Sequence, residues 1–175
     1  MKNDMSHDEY EKAANYWKLK DADSVNADTK MLMSEIEAFI DKNDTCALAT
    51  GFGEFVRCTP IEYTYHDSAF WLFTEGGEKF ISLEHNKNVC IAIFDKFSGF
   101  GHLKGMQISG TAQTIETFSE QYIKAANFKK LPIEALRKMP EPIHLIKIIP
   151  EKIDFLNSDF KKQGLDSRQS IIINK

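Results

Sequence analysis

Arginine is scarce in this chain. Of 22 basic residues 19 are lysines, and the arginines are Arg57, Arg137 and Arg168. Arg57 stands inside Phe55-Val56-Arg57-Cys58-Thr59-Pro60-Ile61, a run that reads as a strand. An arginine there must lift its charge to solvent, pair it or bind a ligand. Its fork suits two phosphate oxygens at once. A second group, Thr74-Glu75-Gly76-Gly77-Glu78-Lys79, joins an aromatic run to a short apolar helix. Turn amides at Gly76 and Gly77, the first helical turn and the Lys79 ammonium would together cradle a phosphate. Glu75 and Glu78 oppose an anion unless they point away or cap the helix. The third group is Lys104-Gly105-Met106-Gln107-Ile108-Ser109-Gly110. In a strand Lys104, Met106, Ile108 and Gly110 share one face, and Gln107 and Ser109 share the other. Gln107 could donate to a planar heterocycle, or the segment could be an ordinary solvated strand face.

Other chemistry is missing from the sequence. There is no GxGxxG after a strand, no GxxxxGK[ST], no HExxH and no GxSxG. The histidines His7, His66, His85, His102 and His144 are nowhere spaced i,i+4, so a metal site is not expected. Cys46, Cys58 and Cys90 form no CxxC, and an odd number cannot pair fully within one chain. They read as buried free thiols in a reducing compartment. Net charge is -4, with no concentrated basic stripe, which argues against nucleic acid and against an anionic membrane surface. The N-terminus leads into polar residues, and no apolar run approaches the roughly 18 residues of a membrane span. The expected location is the cytoplasm.

The elements that must position these groups follow from the apolar pattern. Residues 1–27 form a polar arm, with a short helix predicted over Asp8–Ala14 and Trp17 as its docking ring. A helix is predicted from Asp28, its cap, to Asp41. Strands follow over 46–50, 55–65 and 69–74, and a turn over 51–53. Next come a helix over 79–85, an apolar strand over 89–94 and a loop over 96–101. A long strand over 102–116 is expected to bend at Gly105 or Gly110. Helices are predicted over 118–128 and 133–138. A strand over 143–149 ends in a bend at Pro150, and an extended run resumes over 153–156. The remainder reads as a polar tail whose Ile171-Ile172-Ile173 either adds a strand or docks on a partner subunit. Six or seven strands joined by short links must be mostly antiparallel, and a small barrel protects their edges.

The ordered set of Arg57 to Ile61, Phe70 to Thr74, Lys79 with Leu83 and Asn86, and Lys104 to Gly110 resembles the pyridoxamine 5'-phosphate oxidase-like family. The resemblance covers about residues 30–155. It implies a fold that is mainly β with flanking helices, an antiparallel split β-barrel of FMN-binding type. It also implies a homodimer with two FMN sites in the interface clefts. Arg57 looks like the family's strand arginine near the FMN phosphate, and Lys79 like the lysine that reaches that phosphate with Gly77 beside it. Cys58, Thr59, Pro60 and Ile61 would run along the cofactor, and Phe73 and Thr74 would follow it on the next strand. Lys104 and Gln107 fall where the oxidase carries Arg-Gln-Val-Arg, so one basic charge is absent here.

The true oxidase also grips its substrate with a C-terminal tryptophan, arginine and histidine. This chain has only Trp17 and Trp71, and no histidine follows Arg168. The resemblance therefore points to an FMN-dependent oxidoreductase of another substrate, with an unknown small-molecule electron donor or acceptor. Two other readings stay open: a flavin-binding module without turnover, and a haem-binding or haem-degrading split barrel with His85, His102 or His144 as axial ligand. The expected organisation is an N-terminal helical arm (1–27), the barrel domain (28–156) and a C-terminal extension (157–175).

Overall fold

The computed structural model describes residues 4–173. Residues 1–3 of the arm and 174–175 of the C-terminal extension lie outside that range. The elements in chain order are α1 (His7–Asp21), α2 (Thr29–Lys42), β1 (Thr45–Phe52), β2 (Phe55–Glu62), β3 (Thr64–His66), β4 (Ala69–Thr74), α3 (Lys79–His85), β5 (Asn88–Phe94), β6 (Lys104–Ile115), α4 (Glu120–Phe128), α5 (Ile133–Arg137), β7 (His144–Asn157) and β8 (Arg168–Ile172). Short 3-10 turns occupy Phe100–His102 and Ser158–Gln163.

All described strand pairs are antiparallel, in the order β2-β1-β5-β6-β7-β4-β3, with β8 on β7 beside β4. The two ends of that order, β2 and β3, are separated in the chain by Tyr63 alone. The sheet therefore curls back on itself and is split at this seam. The predicted single strand over 55–65 breaks here. Tyr63 leaves the ladder, its N–H donating to the Asp44 carbonyl (2.8 Å) and its hydroxyl to the Ile40 carbonyl (2.7 Å). Burial pushes the Tyr63 phenol up, beyond its ordinary range.

Alternation decides the two faces. Cys46, Leu48, Ile91, Ile93, Met106 and Ile108 face inward, where α2 lays Leu32, Ile36, Phe39 and Ile40 across the barrel mouth. Asp28 caps α2 by accepting from the Met31 N–H (3.0 Å). A smaller cluster joins α4 to the far side, with Tyr122 buried among Trp71, Ala125 and Leu145. Burying about ten such large side chains stabilises the fold by roughly 1.5–3 kcal/mol each before chain entropy is set against it.

The strand expected to stop at Pro150 runs through from His144 to Asn157. A bulge makes this possible: the register shifts between Ser109 and Gly110, so that Ser109 faces Lys152 and Gly110 faces Pro150. Proline lacks the N–H a ladder needs, and a bulge is where a strand tolerates it. Gly110 has no alternative, because a Cβ there would lie 2.3 Å from the Ile149 carbonyl oxygen. Of the two outcomes expected for the C-terminal isoleucines, Ile171 and Ile172 add a strand, β8. The arm helix is twice the length predicted, because Ser6 and Glu9 form a capping box and the helical run continues past Trp17. No residue of α1 is buried.

Candidate functional site

The Thr74–Lys79 turn sits where β4 ends against α3, and α3 packs on β1 and β2. Lys79 opens α3 and is 4% exposed. Its ammonium donates to the Gly76 carbonyl and lies 5.5 Å from the Phe80 ring centroid. It has no carboxylate within salt-bridge distance among the described residues. Burial pulls the Lys79 pKa down from its ordinary value. Gly77 takes φ +108°, a conformation side chains avoid, and a Cβ there would stand 3.5 Å from Lys79 Nζ. Thr74 Oγ1 stabilises the turn, donating to the Gly76 carbonyl (3.2 Å) and accepting from its N–H (3.4 Å).

Two hydroxyls complete this end of the barrel. Thr50 faces inward on β1, opposite Arg57 in the ladder, and Ser82 lies one turn after Lys79 on the buried face of α3. Both Oγ atoms are buried without a hydrogen-bond partner among the described residues. Buried hydroxyls are nearly always paired, and leaving one unpaired costs about 1–3 kcal/mol. A buried ammonium with no carboxylate partner, and two idle hydroxyls on the packed pair α3 and β1, are groups that fit the oxygens of a phosphate. Neither Thr50 nor Ser82 was anticipated from sequence. The available signals were a threonine at a core position of β1 and a serine three residues after Lys79.

Arg57 reaches the same turn from β2. Its Nη1 meets Glu78 Oε2 at 3.1 Å, and both side chains are about half exposed. Glu78 thus neither points away nor caps α3; it holds the guanidinium at the lip of the cradle.

The other predicted positions divide by parity. Thr59 and Ile61 share the Arg57 face of β2, with Ile61 packed against the core. Cys58 and Pro60 lie on the opposite, outer face and are exposed. Cys58 is therefore not the buried thiol expected; Cys46 is, its pKa pushed by burial to about 12. Phe73 turns toward α4 and meets Tyr122 edge-on at 5.4 Å. Lys104 and Gln107 lie on β6 beyond β5, on opposite faces. The Lys104 ammonium lies over the Phe39 and Phe155 rings, and Gln107 is exposed on the outer face. So the chain itself gathers Arg57, Thr74, Gly77 and Lys79, and leaves Cys58, Pro60, Phe73, Lys104 and Gln107 apart from them.

That outer face is built of small residues. Ala47, Ala49 and Gly51 of β1 run beside Cys90 and Ala92 of β5, with Val56 and Phe94 exposed at its borders. Among the histidines, His85 stacks on Phe52 (4.4 Å) and His66 on Phe128 (3.9 Å). Among the described residues no group of three or more His, Cys, Asp or Glu side chains could hold a metal, and no helix is long and apolar enough to cross a membrane.

A mostly antiparallel split barrel with flanking helices defines the class of fold. Within it, residues 32–157 match the pyridoxamine 5'-phosphate oxidase family, and the chain belongs to that oxidase-like family. No curated protein matches it. Solved structures share the fold at low identity. HutZ, the haem storage protein of Vibrio cholerae, is 17% identical with a TM-score of 0.57, over 67% of this chain and 89% of that one. General stress protein 26 of Bacillus anthracis is 19% identical with a TM-score of 0.57, over 81% and 98%. An FAD-binding protein of Mesorhizobium loti is 17% identical with a TM-score of 0.55, over 69% and 89%. Solved barrels of this fold thus include a haem storage protein and an FAD-binding protein.

Proposed function

We propose that this protein is an FMN-binding flavoprotein of the cytoplasm, an FMN-dependent oxidoreductase that works as a homodimer with FMN in the interface clefts. The observation that carries this reading is the buried Lys79 ammonium without a carboxylate, on a helix that also carries the unpaired Ser82 hydroxyl and packs on β1, which carries the unpaired Thr50 hydroxyl. Their donors suit a phosphate monoester, which Arg57 would close from the lip by exchanging Glu78 for a phosphate oxygen. One buried ammonium and one guanidinium match the single phosphate of FMN better than the pyrophosphate of FAD. The backbone of Thr59 to Ile61 would border the ring, and Gln107 would reach its polar edge from the partner subunit. When bound, the flavin supplies the redox chemistry, and the protein holds and shields it.

The small-residue outer face supports the dimer. Small residues with an exposed Val56 and Phe94 leave a surface two copies could press together closely. The exposed Cys58 is a free thiol, as a reducing compartment would keep it.

An absorbance spectrum of the purified protein, then titration with FMN, FAD and haemin, tests the reading. Flavin bands and one tight FMN per chain, with FAD weaker, are expected. Preference for FAD would overturn the choice of flavin. A Soret band with no FMN uptake would assign the barrel to haem instead. Sedimentation of the FMN complex as a monomer would overturn the dimer.

A further inference from the structure

β7 opens on His144, which lies opposite Thr74 of β4 in the ladder. Alternation along β7 sends Ile146 and Ile148 into the barrel core and Leu145 toward α4. His144 shares the parity of the two isoleucines and so faces inward. Residues directly opposite each other on an antiparallel pair hold their Cβ atoms about 5 Å apart. His144 therefore stands next to Thr74, whose hydroxyl shares the Gly76 carbonyl with the Lys79 ammonium. A second route leads to the same place. The His144 ring lies 5.2 Å from the Phe80 ring centroid, and Lys79 Nζ lies 5.5 Å from that centroid. Strand pairing and ring contact independently bring the imidazole to the Lys79 cradle.

The imidazole is half-buried and makes no hydrogen bond or ion pair among the described residues. The charged groups of the surrounding elements are few. α3 brings Lys79; its Glu84 and His85 are exposed at the other end of the helix, with His85 stacked on Phe52. The turn after β4 carries Glu75, which is exposed, and Glu78, which holds Arg57 at 3.1 Å. Glu116 after β6 and Glu141 before β7 are exposed. α4 reaches the neighbouring Ile143 carbonyl through the Tyr122 hydroxyl (3.0 Å), and its Glu120 and Lys124 pair with each other (2.8 Å). Histidine is the side chain whose ordinary titration falls between about pH 5 and 8. In the empty cradle the Lys79 ammonium opposes a second positive charge. A bound dianion reverses that balance, so anion binding and protonation of His144 favour each other.

We propose that His144 is a proton-dependent third cation of the Lys79 cradle: the site takes up a proton together with a phosphate monoester and holds that ligand more tightly below neutral pH. Lys79 and Arg57 supply fixed charge, and His144 adds a charge that pH switches. The identity of the ligand as FMN rests on the function proposed above. The role of His144 holds for any tetrahedral dianion in the cradle.

The first probe is sulfate, a tetrahedral dianion that takes no proton near neutral pH. The His144 ring proton, assigned through its NMR contact with the Phe80 ring, is followed across about pH 5 to 9 in the full-length protein. Saturating sulfate should raise its titration midpoint by about half a unit or more, a threefold gain in proton affinity, and Lys79→Gln should abolish that rise. FMN is the second probe, titrated by fluorescence at about pH 6 and about pH 8.5. Its own phosphate titrates near the lower value, an effect His144→Gln shares. The loss of affinity on raising pH should be about threefold greater in the native protein than in His144→Gln. His144→Lys, whose charge is permanent, should keep FMN tight at the higher pH. A midpoint that sulfate does not move, a rise that survives Lys79→Gln, or equal pH profiles in the native protein and His144→Gln would each overturn the proposal. A sulfate-induced rise without FMN uptake would uphold His144 and count against the flavin assignment alone.

Discussion

The two ends of the barrel treat their charges in opposite ways. At the arm end, Arg168, Asp21, Asp154, Lys152 and Ser170 satisfy one another, and Arg168 has only 17% of its side chain exposed. At the α3 end, Lys79 is more deeply buried yet has only a carbonyl as hydrogen-bond partner, and the buried hydroxyls of Ser82 on α3 and Thr50 on β1 have none. Both clusters are rich in polar residues, so composition cannot separate them. The difference lies in satisfaction. A closed network stabilises structure, whereas a buried group without its complement costs stability and fits a ligand that supplies the missing atoms.

Lys79→Met should break the contrast most sharply. FMN affinity is expected to fall about a hundredfold, close to 2.7 kcal/mol, in a fluorescence titration. The flavin-free protein should instead melt higher, by roughly 2–4 °C for each kcal/mol regained. Burial lowers the Lys79 pKa, so the unfolded chain binds its proton more tightly than the fold does. The native lysine therefore costs stability at neutral pH, a cost that disappears as pH rises through the folded value toward the ordinary one. A melting temperature that falls would show Lys79 to be structural.

Arg168→Met should act the other way round. It leaves Asp21 and Asp154 without their shared cation, and about 2 kcal/mol of stability should be lost in denaturant titration. FMN affinity should not change. Loss of FMN binding in this variant would show that the two ends are one site.

Smaller effects sharpen the lip of the cradle. Arg57→Ala should weaken FMN about tenfold, through loss of a charge-assisted contact. Glu78→Gln should tighten FMN severalfold, because it removes a negative charge and releases Arg57. Unchanged affinity in both would remove Arg57 from the site.

The smallest expected effect is on acidification. Burial alone would raise the Asp154 pKa, but the bonds from Lys152 and Ser170 and the charge of Arg168 outweigh it and hold the carboxyl below its ordinary value. Its contribution is complete above that ordinary value, about 3.9, and is lost as pH falls through the lower folded one. Trp17 fluorescence in a Trp71→Phe background should report α1 loosening in that window. A signal flat down to global unfolding would count against Asp154 and Arg168 holding α1.

Much of this molecule was legible in its residues. The α2 cap at Asp28, the α3 span from Lys79 to His85 and the bend at Gly110 all follow from local rules of capping, apolar period and backbone space. The ordered motifs from Arg57 to Gly110 carried the family. Local rules failed where a distant partner decided. Tyr63 left its strand for the carbonyls of Asp44 and Ile40, and Pro150 stayed in its strand because β6 supplied a bulge. Cys58 is exposed because its parity, fixed by pairing with Ala49, turns it outward.

The sequence by itself determined the barrel, its helices and the candidates Arg57 and Lys79, since periodicity and residue type are properties of the chain. Only the tertiary structure decided which polar groups find partners. It paired Arg168 with Asp21 of the arm, 147 residues away, and with Asp154 on the adjoining strand, and it left Thr50 and Ser82 idle. Hydrogen-bond satisfaction depends on atoms brought together from separate elements, and no local pattern encodes it.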